Sequence, residues 1–107
     1  MKNAPKKTRT YKWDPTRQLK TDKARAMYLD VALEEGDPAL IAEVLGDIAR
    51  SKGMARVAKK AGLGRESLYK ALSKGGNPKL DTLVKITQAL GLRLSAMVDK
   101  SEHERAA

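Results

Sequence analysis

MARVAKKAGLGRESLYKAL, running from Met54 to Leu72, is the stretch on which the reading of the whole chain turns. It predicts two short helices, about Met54–Ala61 and Arg65–Ser73, joined by Gly62-Leu63-Gly64. Two helices that cross steeply beside a tight turn restrict what each position tolerates. Ala58 is small enough for the crossing point. Gly62, four residues later, suits a turn that needs positive φ. Leu63 plugs the core, and Leu68, six residues after that glycine, is the apolar group the second helix must bury. Met54, Val57, Ala61, Ala71 and Leu72 complete the inward set.

With those residues inward, Glu66, Ser67, Tyr69, Lys70, Ser73 and Lys74 face out from the second helix, with Arg65 at its start. Arg and Lys bond guanine acceptors, Ser donates or accepts, and Glu accepts from cytosine. A helix N-terminus also favours a phosphate. Arg56, Lys59 and Lys60 on the first helix would lie near a sugar–phosphate backbone that this helix crosses. The pattern is that of a helix-turn-helix reading the major groove of double-stranded DNA. Gly64 stands where many such motifs carry a Ser or Thr cap, so one side-chain phosphate contact is missing.

Charge supports the same partner. The net charge is +9 over 107 residues. Residues 1–23 carry eight Lys and Arg against two Asp, and residues 54–79 carry seven against one Glu. Residues 24–53 reverse the sign, with three basic and six acidic groups. Two basic blocks flanking an acidic one form an electrostatic footprint for a polyanion.

Outside the motif the expected architecture is all-α, a compact five-helix domain over residues 21–98. It follows a flexible basic N-terminal arm (1–20) and precedes a polar C-terminal tail (99–107). A helix over about Lys23–Glu35, capped by Thr21 or Asp22, carries Ala24, Met27, Tyr28, Val31 and Ala32 on one stripe. Asp37-Pro38 opens the next helix, which buries Ile41, Val44, Leu45 and Ile48 and closes at Gly53. A last helix, about Leu80–Leu90, carries Leu80, Leu83, Val84, Thr87 and Leu90 on one side. Residues 92–98, LRLSAMV, alternate with period two. They read either as a short strand that pairs with its copy in a dimer, or as an apolar tail lying on the core.

Several functions are excluded or disfavoured. With no Cys there is no disulfide, thiolate metal site or Cys nucleophile, which fits a reducing cytoplasm. MKNAPKKTRTYKW is basic with no hydrophobic segment behind it, so it does not read as a secretory signal, and no apolar run suits a membrane span. His103 sits in the polar tail, and Glu34, Glu35 and Asp37 end one helix and cap the next, so neither set reads as a metal site. No phosphate-binding loop or nucleophile elbow is present. The expectation is a protein with no catalytic residue, no metal and no cofactor. Tyr28 reads as core, while Trp13 reads as a core lid or a partner anchor.

GLGRESLYKALSKGGNPKLDTLVKITQALGL is similar to the Cro/repressor-type helix-turn-helix family, with Asn77-Pro78 after the second helix and Leu90-Gly91-Leu92 closing the last. The chain resembles one branch more closely, the HigA-like antidote proteins of bacterial toxin–antitoxin modules. Trp13-Asp14-Pro15 leading to Leu19-Lys20, and then YLDVALEEGDPALIAEVLGDIARSKGM, carry that part of the likeness. The resemblance implies a cytoplasmic antitoxin that neutralises a small toxin, typically a ribosome-dependent mRNA endonuclease of the HigB/RelE type. It also implies a homodimer that represses its own operon at operator DNA. Tyr11, Trp13, Asp14, Arg17 and Leu19 are the candidates for toxin contact. The rival readings are a stand-alone regulator of the same fold without a toxin, and an interaction-only adaptor whose motif no longer binds DNA.

Overall fold

A computed structural model of the chain describes residues 18–99. Five helices follow one another: α1 (Asp22–Glu35), α2 (Pro38–Lys52), α3 (Met54–Ala61), α4 (Arg65–Ala71) and α5 (Leu80–Ala89). There is no strand among the described residues, so the fold is all-α. α1 packs on α2, and α3 packs on α2, α4 and α5, which makes α3 the hub. No described helix is long and apolar enough to cross a membrane.

The helix starts follow from capping chemistry. Thr21 Oγ1 accepts from the Ala24 N–H at 3.0 Å, so Thr21 and not Asp22 is the cap of α1. Asp37 Oδ1 accepts from the Ala39 N–H at 3.1 Å, with Pro38 in the first turn of α2. α3 keeps its expected limits, whereas α4 stops at Ala71 and α5 at Ala89.

The core is aliphatic. Ile48, Leu68, Ile86 and Leu90 are completely enclosed, with Leu45, Val57, Ala58 and Leu72 around them. Each fully buried side chain of this size contributes about 1.5–3 kcal/mol. Thr87 and Asp47 are the buried polar residues, and the Thr87 hydroxyl donates to the Val84 carbonyl at 2.9 Å.

Two apolar stripes keep some expected members, Ala24, Tyr28 and Ala32 on α1 and Leu83, Thr87 and Leu90 on α5, and lose others. On α1, Leu29 and Ala32 are buried and Tyr28 is half-buried, while Met27 and Val31 are exposed. The inward face includes Arg25, three residues before Tyr28 on the helix. Its guanidinium bonds Asp22 at 2.8 Å and Ser51 Oγ at 3.1 Å, so it lies against α2 instead of reaching for solvent. A reading by hydrophobicity discounts an arginine there and rotates the face. On α5, Ile86 and Ala89 are buried alongside Thr87 and Leu90, while Leu80 and Val84 are exposed.

The expected strand over 92–98 is absent, because a strand needs a neighbour to pair with and one chain supplies none. Nor does the whole segment lie on the core. Leu92 and Leu94 are half-buried, while Ala96, Met97 and Val98 are exposed. Leu19 is a core residue at 3% exposure, so the folded body includes it although residue 21 was the expected start.

Polar ties fasten the α1–α2 pair. Asp47, itself buried, accepts from the Tyr28 hydroxyl at 2.7 Å and from the Arg50 guanidinium. Lys52 Nζ donates to the Leu90 carbonyl at 3.3 Å and lies 3.6 Å from Asp22, joining the end of α2 to both ends of the fold. A hydrogen bond to a buried carboxylate is worth about 1.5–3 kcal/mol. Tyr28→Phe is therefore expected to lower unfolding stability by roughly that amount with the helix content unchanged. Denaturant titration followed by circular dichroism checks this, and an unchanged midpoint would remove Asp47 from the list of structural ties.

Candidate nucleic-acid interface

The turn between α3 and α4 is built from backbone bonds. Gly62 takes the left-handed conformation, φ 71° and ψ 31°. Its N–H donates to the Lys59 carbonyl at 3.2 Å, and the Leu63 N–H reaches the Ala58 carbonyl at 2.9 Å. This double closure of a helix end requires a residue that accepts positive φ, which glycine does without strain. The chain then enters α4 directly, because the Leu68 N–H bonds the Gly64 carbonyl at 3.0 Å.

α4 has seven residues, and Leu68 is its fully buried side chain. Burial of Leu68 fixes the rotation of α4 and sends Arg65, Glu66, Ser67, Tyr69 and Lys70 outward, all exposed. Tyr69 keeps 45% of its surface exposed. Arg56, Lys59 and Lys60 are exposed on α3. Ser73 and Lys74 are exposed too, but they lie beyond the end of α4, not on it. The chain has to turn there. The Gly76 N–H bonds the Ser73 carbonyl at 2.8 Å, and a Cβ on Gly76 would fall 2.3 Å from the Ala71 carbonyl oxygen.

This fold-back adds residues that sequence reasoning missed. Ser67, Lys70, Lys74, Asn77, Lys79 and Thr82 line one open cleft of about 630 Å³, floored by the Gly75–Gly76 backbone. A second, smaller cleft brings Lys60 beside Lys85 and Gln88. Asn77 was legible only in the Asn77-Pro78 pair after the second helix and Lys79 not at all, and nothing in the sequence showed that this part of the chain lines a cleft with Lys70. Such a surface offers ammonium and guanidinium donors, hydroxyls and two amides, a set that bonds phosphate oxygens and base edges.

Among the described residues none of Arg56, Lys59, Lys60, Arg65, Lys70, Lys74 and Lys79 forms an ion pair. The ion pairs recorded there, Arg25–Asp22, Arg50–Asp47 and Lys52–Asp22, all belong to α1 and α2. Among the described residues the cations of α3 and α4 are thus held in no ion pair, and Glu66 is the one carboxylate on these two helices. No group of three or more His, Cys, Asp or Glu among the described residues is placed to hold a metal ion. Tyr11, Trp13, Asp14 and Arg17 lie outside the described residues. Leu19, the fifth of the residues read as toxin contacts, faces the core.

Gly64 precedes α4 with φ −70° and ψ 153° and makes no side-chain cap bond. Those angles suit any residue, and a Cβ there would find its nearest neighbour, Ser67 Oγ, at 4.0 Å. Gly64→Ser is expected to raise stability by about 0.5–1 kcal/mol, through a cap bond and a less flexible unfolded chain. A thermal melt checks it, and a lower melting temperature would show that the start of α4 does not tolerate a side chain.

Comparison with known proteins adds a family likeness. A family model described as "Probable addiction module antidote protein" matches residues 9–98. An uncharacterized protein of Haemophilus influenzae is 42% identical over 81 residues, covering 76% of this chain and 84% of that protein. No solved structure matches the chain.

Proposed function

The chain belongs to the addiction module antidote family, and from that membership we propose that it is the antitoxin of a type II toxin–antitoxin module. In this reading it binds and neutralises a small toxin and represses its own operon. The observation that carries the antitoxin role is the match of the family over residues 9–98. The toxin expected is a ribosome-dependent mRNA endonuclease of the HigB/RelE type, and the working form is a cytoplasmic homodimer.

The cations of α3 and α4, held in no ion pair among the described residues, support operator binding. α4 acts as the recognition helix of a Cro/repressor-type helix-turn-helix and enters the major groove. Arg65, Glu66, Ser67, Tyr69 and Lys70 meet base edges, while Arg56, Lys59, Lys60, Ser73 and Lys74 hold phosphates. Asn77 and Lys79 extend the phosphate set across the cleft beside Lys70. Residues before Leu19, with Tyr11, Trp13, Asp14 and Arg17 foremost, take the toxin, and Leu19 holds that segment to the folded body.

The first test is co-expression with the product of the adjacent reading frame, with purification through a tag on this chain. If the neighbour arrests growth alone, and growth returns with a stable complex, the antitoxin role stands. A harmless neighbour that does not co-purify leaves a stand-alone DNA-binding regulator.

DNA recognition has its own signature. On DNA from upstream of the operon, Arg65→Ala or Lys70→Ala is expected to cost about 1–3 kcal/mol and to relax sequence preference. Lys59→Ala or Lys60→Ala should weaken all sequences alike and flatten the salt dependence by about one unit per lost contact. Fluorescence anisotropy at several salt concentrations separates the two patterns. Unchanged operator binding in both Arg65→Ala and Lys70→Ala would take base recognition away from α4.

The arm is tested by truncation that spares the core. A chain beginning at Gln18 keeps Leu19, so it is expected to melt as the full chain does while losing toxin affinity. Calorimetry against the purified toxin reads the affinity. Full neutralisation by the shortened chain would move the toxin contact onto the folded domain.

A further inference from the structure

α1 is apolar over more of its circumference than α2 covers. Residues 26–29 and 31–33 are apolar in succession, so they wrap round the helix instead of lining one side. Leu29 and Ala32 are buried and Tyr28 half-buried. Met27 and Val31, one turn apart, point away from that side and are 61% and 57% exposed. A helix with apolar groups all round is ordinarily a covered helix. One exposed apolar side chain needs no explanation, but a row of them along a helix marks a contact surface.

The same face carries carboxylates that the fold does not use. Asp30 and Glu34 are exposed. Neither side chain forms an ion pair or hydrogen bond with a described residue. Residues three and four apart are neighbours on a helix surface, so Met27, Asp30, Val31 and Glu34 make one patch, apolar and anionic in turn. At its edge, Met27, Asp30 and Leu33 share an open groove of about 350 Å³ with Leu92 and Leu94. A side chain inserted there would be largely removed from water, as the anchors of protein interfaces are.

We propose that this outer face of α1 docks the cationic surface by which the toxin grips RNA. The proposal rests on the RNA-cleaving toxin of the preceding section and adds the place and chemistry of its contact with the helical body. A protein that holds RNA presents cations to the phosphates. Asp30 and Glu34 meet those cations, and Met27 and Val31 form the apolar centre of the contact. Neutralisation follows directly, because a surface occupied by α1 is closed to RNA. A second copy of this chain fits the face less well, since it would bring carboxylates of the same sign. Leu19, buried at the start of α1, keeps a ligand held by the preceding stretch close to this face. α1 packs on α2, while the cations read as DNA contacts lie on α3 and α4. Toxin on α1 therefore leaves α4 open, and toxin, chain and operator are expected together in one complex.

The four side chains of the patch are exposed, so they can be changed with the fold kept. In full-length protein, Asp30→Lys combined with Glu34→Lys is expected to raise the toxin dissociation constant roughly tenfold or more. Met27→Ala combined with Val31→Ala should raise it roughly five- to thirty-fold. Lys23→Glu, one turn before Met27, lengthens the anionic run and should tighten binding. Calorimetry against the purified toxin reads all three, with circular dichroism and operator preference expected to match the parent.

Equal toxin affinity in the parent and in both double variants overturns docking on α1 and leaves the antitoxin role in place. A parent chain that does not bind the toxin overturns both. Two other occupants have their own signatures, and either one overturns the proposal. A lower melting temperature for Met27→Ala with Val31→Ala in the full chain, but not in the chain beginning at Gln18, would show residues 1–17 covering the face. A changed mass by light scattering would show a second copy there.

Discussion

A helix of seven residues keeps its shape in water only through what it buries, since isolated helices need about 12–15 residues even to be marginal. α4 has that length, and the side chain it encloses fully is Leu68. Everything exposed on α4 is set by that one insertion. If Leu68 rotated out, Arg65, Tyr69 and Lys70 would lose their common direction. α3 receives Leu68 because Val57, Ala58 and Ala61 line the receiving surface with small or branched groups. α2 approaches from the other side through Gly46, where a Cβ would stand 2.9 Å from the Leu72 carbonyl oxygen. Close approach at Gly46 and full burial at Leu68 are two sides of one constraint, which holds the outer face of α4 at a fixed angle to α3.

The same arrangement separates the charges. Asp22 of α1 and Asp47 of α2 are taken up in pairs with Arg25, Arg50 and Lys52. The cations of α3, α4 and the following turn have no such neighbours among the described residues. A protein that paired them internally would gain little stability, because exposed ion pairs contribute at most about 1 kcal/mol. Leaving them unpaired keeps a positive field over one part of the surface, and such a field draws a polyanion from a distance.

Much of this could be read from residue order. The limits and inward face of α3, the glycine turn and the burial of Leu68 are local matters, decided by spacing and by the conformational freedom of Gly62. What could not be read depends on contacts between distant parts of the chain. Arg25 counts as a surface residue until Ser51 is seen beside it. Asp47 looks like one more solvated acid until the Tyr28 hydroxyl arrives from the neighbouring helix. Asn77 and Lys79 look like loop residues until Gly76 folds them back toward α4. For residues 92–98 the alternation is real, but a strand is a property of two segments and the sequence presents one.

Leu19 has a mechanical meaning. It is enclosed with the core at 3% exposure, although it sits at the junction between the basic N-terminal stretch and α1. It therefore anchors the preceding stretch to the helical body. Eighteen residues precede it, and an extended chain spans no more than about 3.6 Å per residue. Any ligand gripped by that stretch stays within about 65 Å of the core. At that range a second contact with the folded body forms as an intramolecular step, at an effective concentration far above that of a free partner. A pull transmitted past Leu19 means drawing a leucine out of its enclosure, so a tight grip on the stretch and the stability of the helical body share one energy balance.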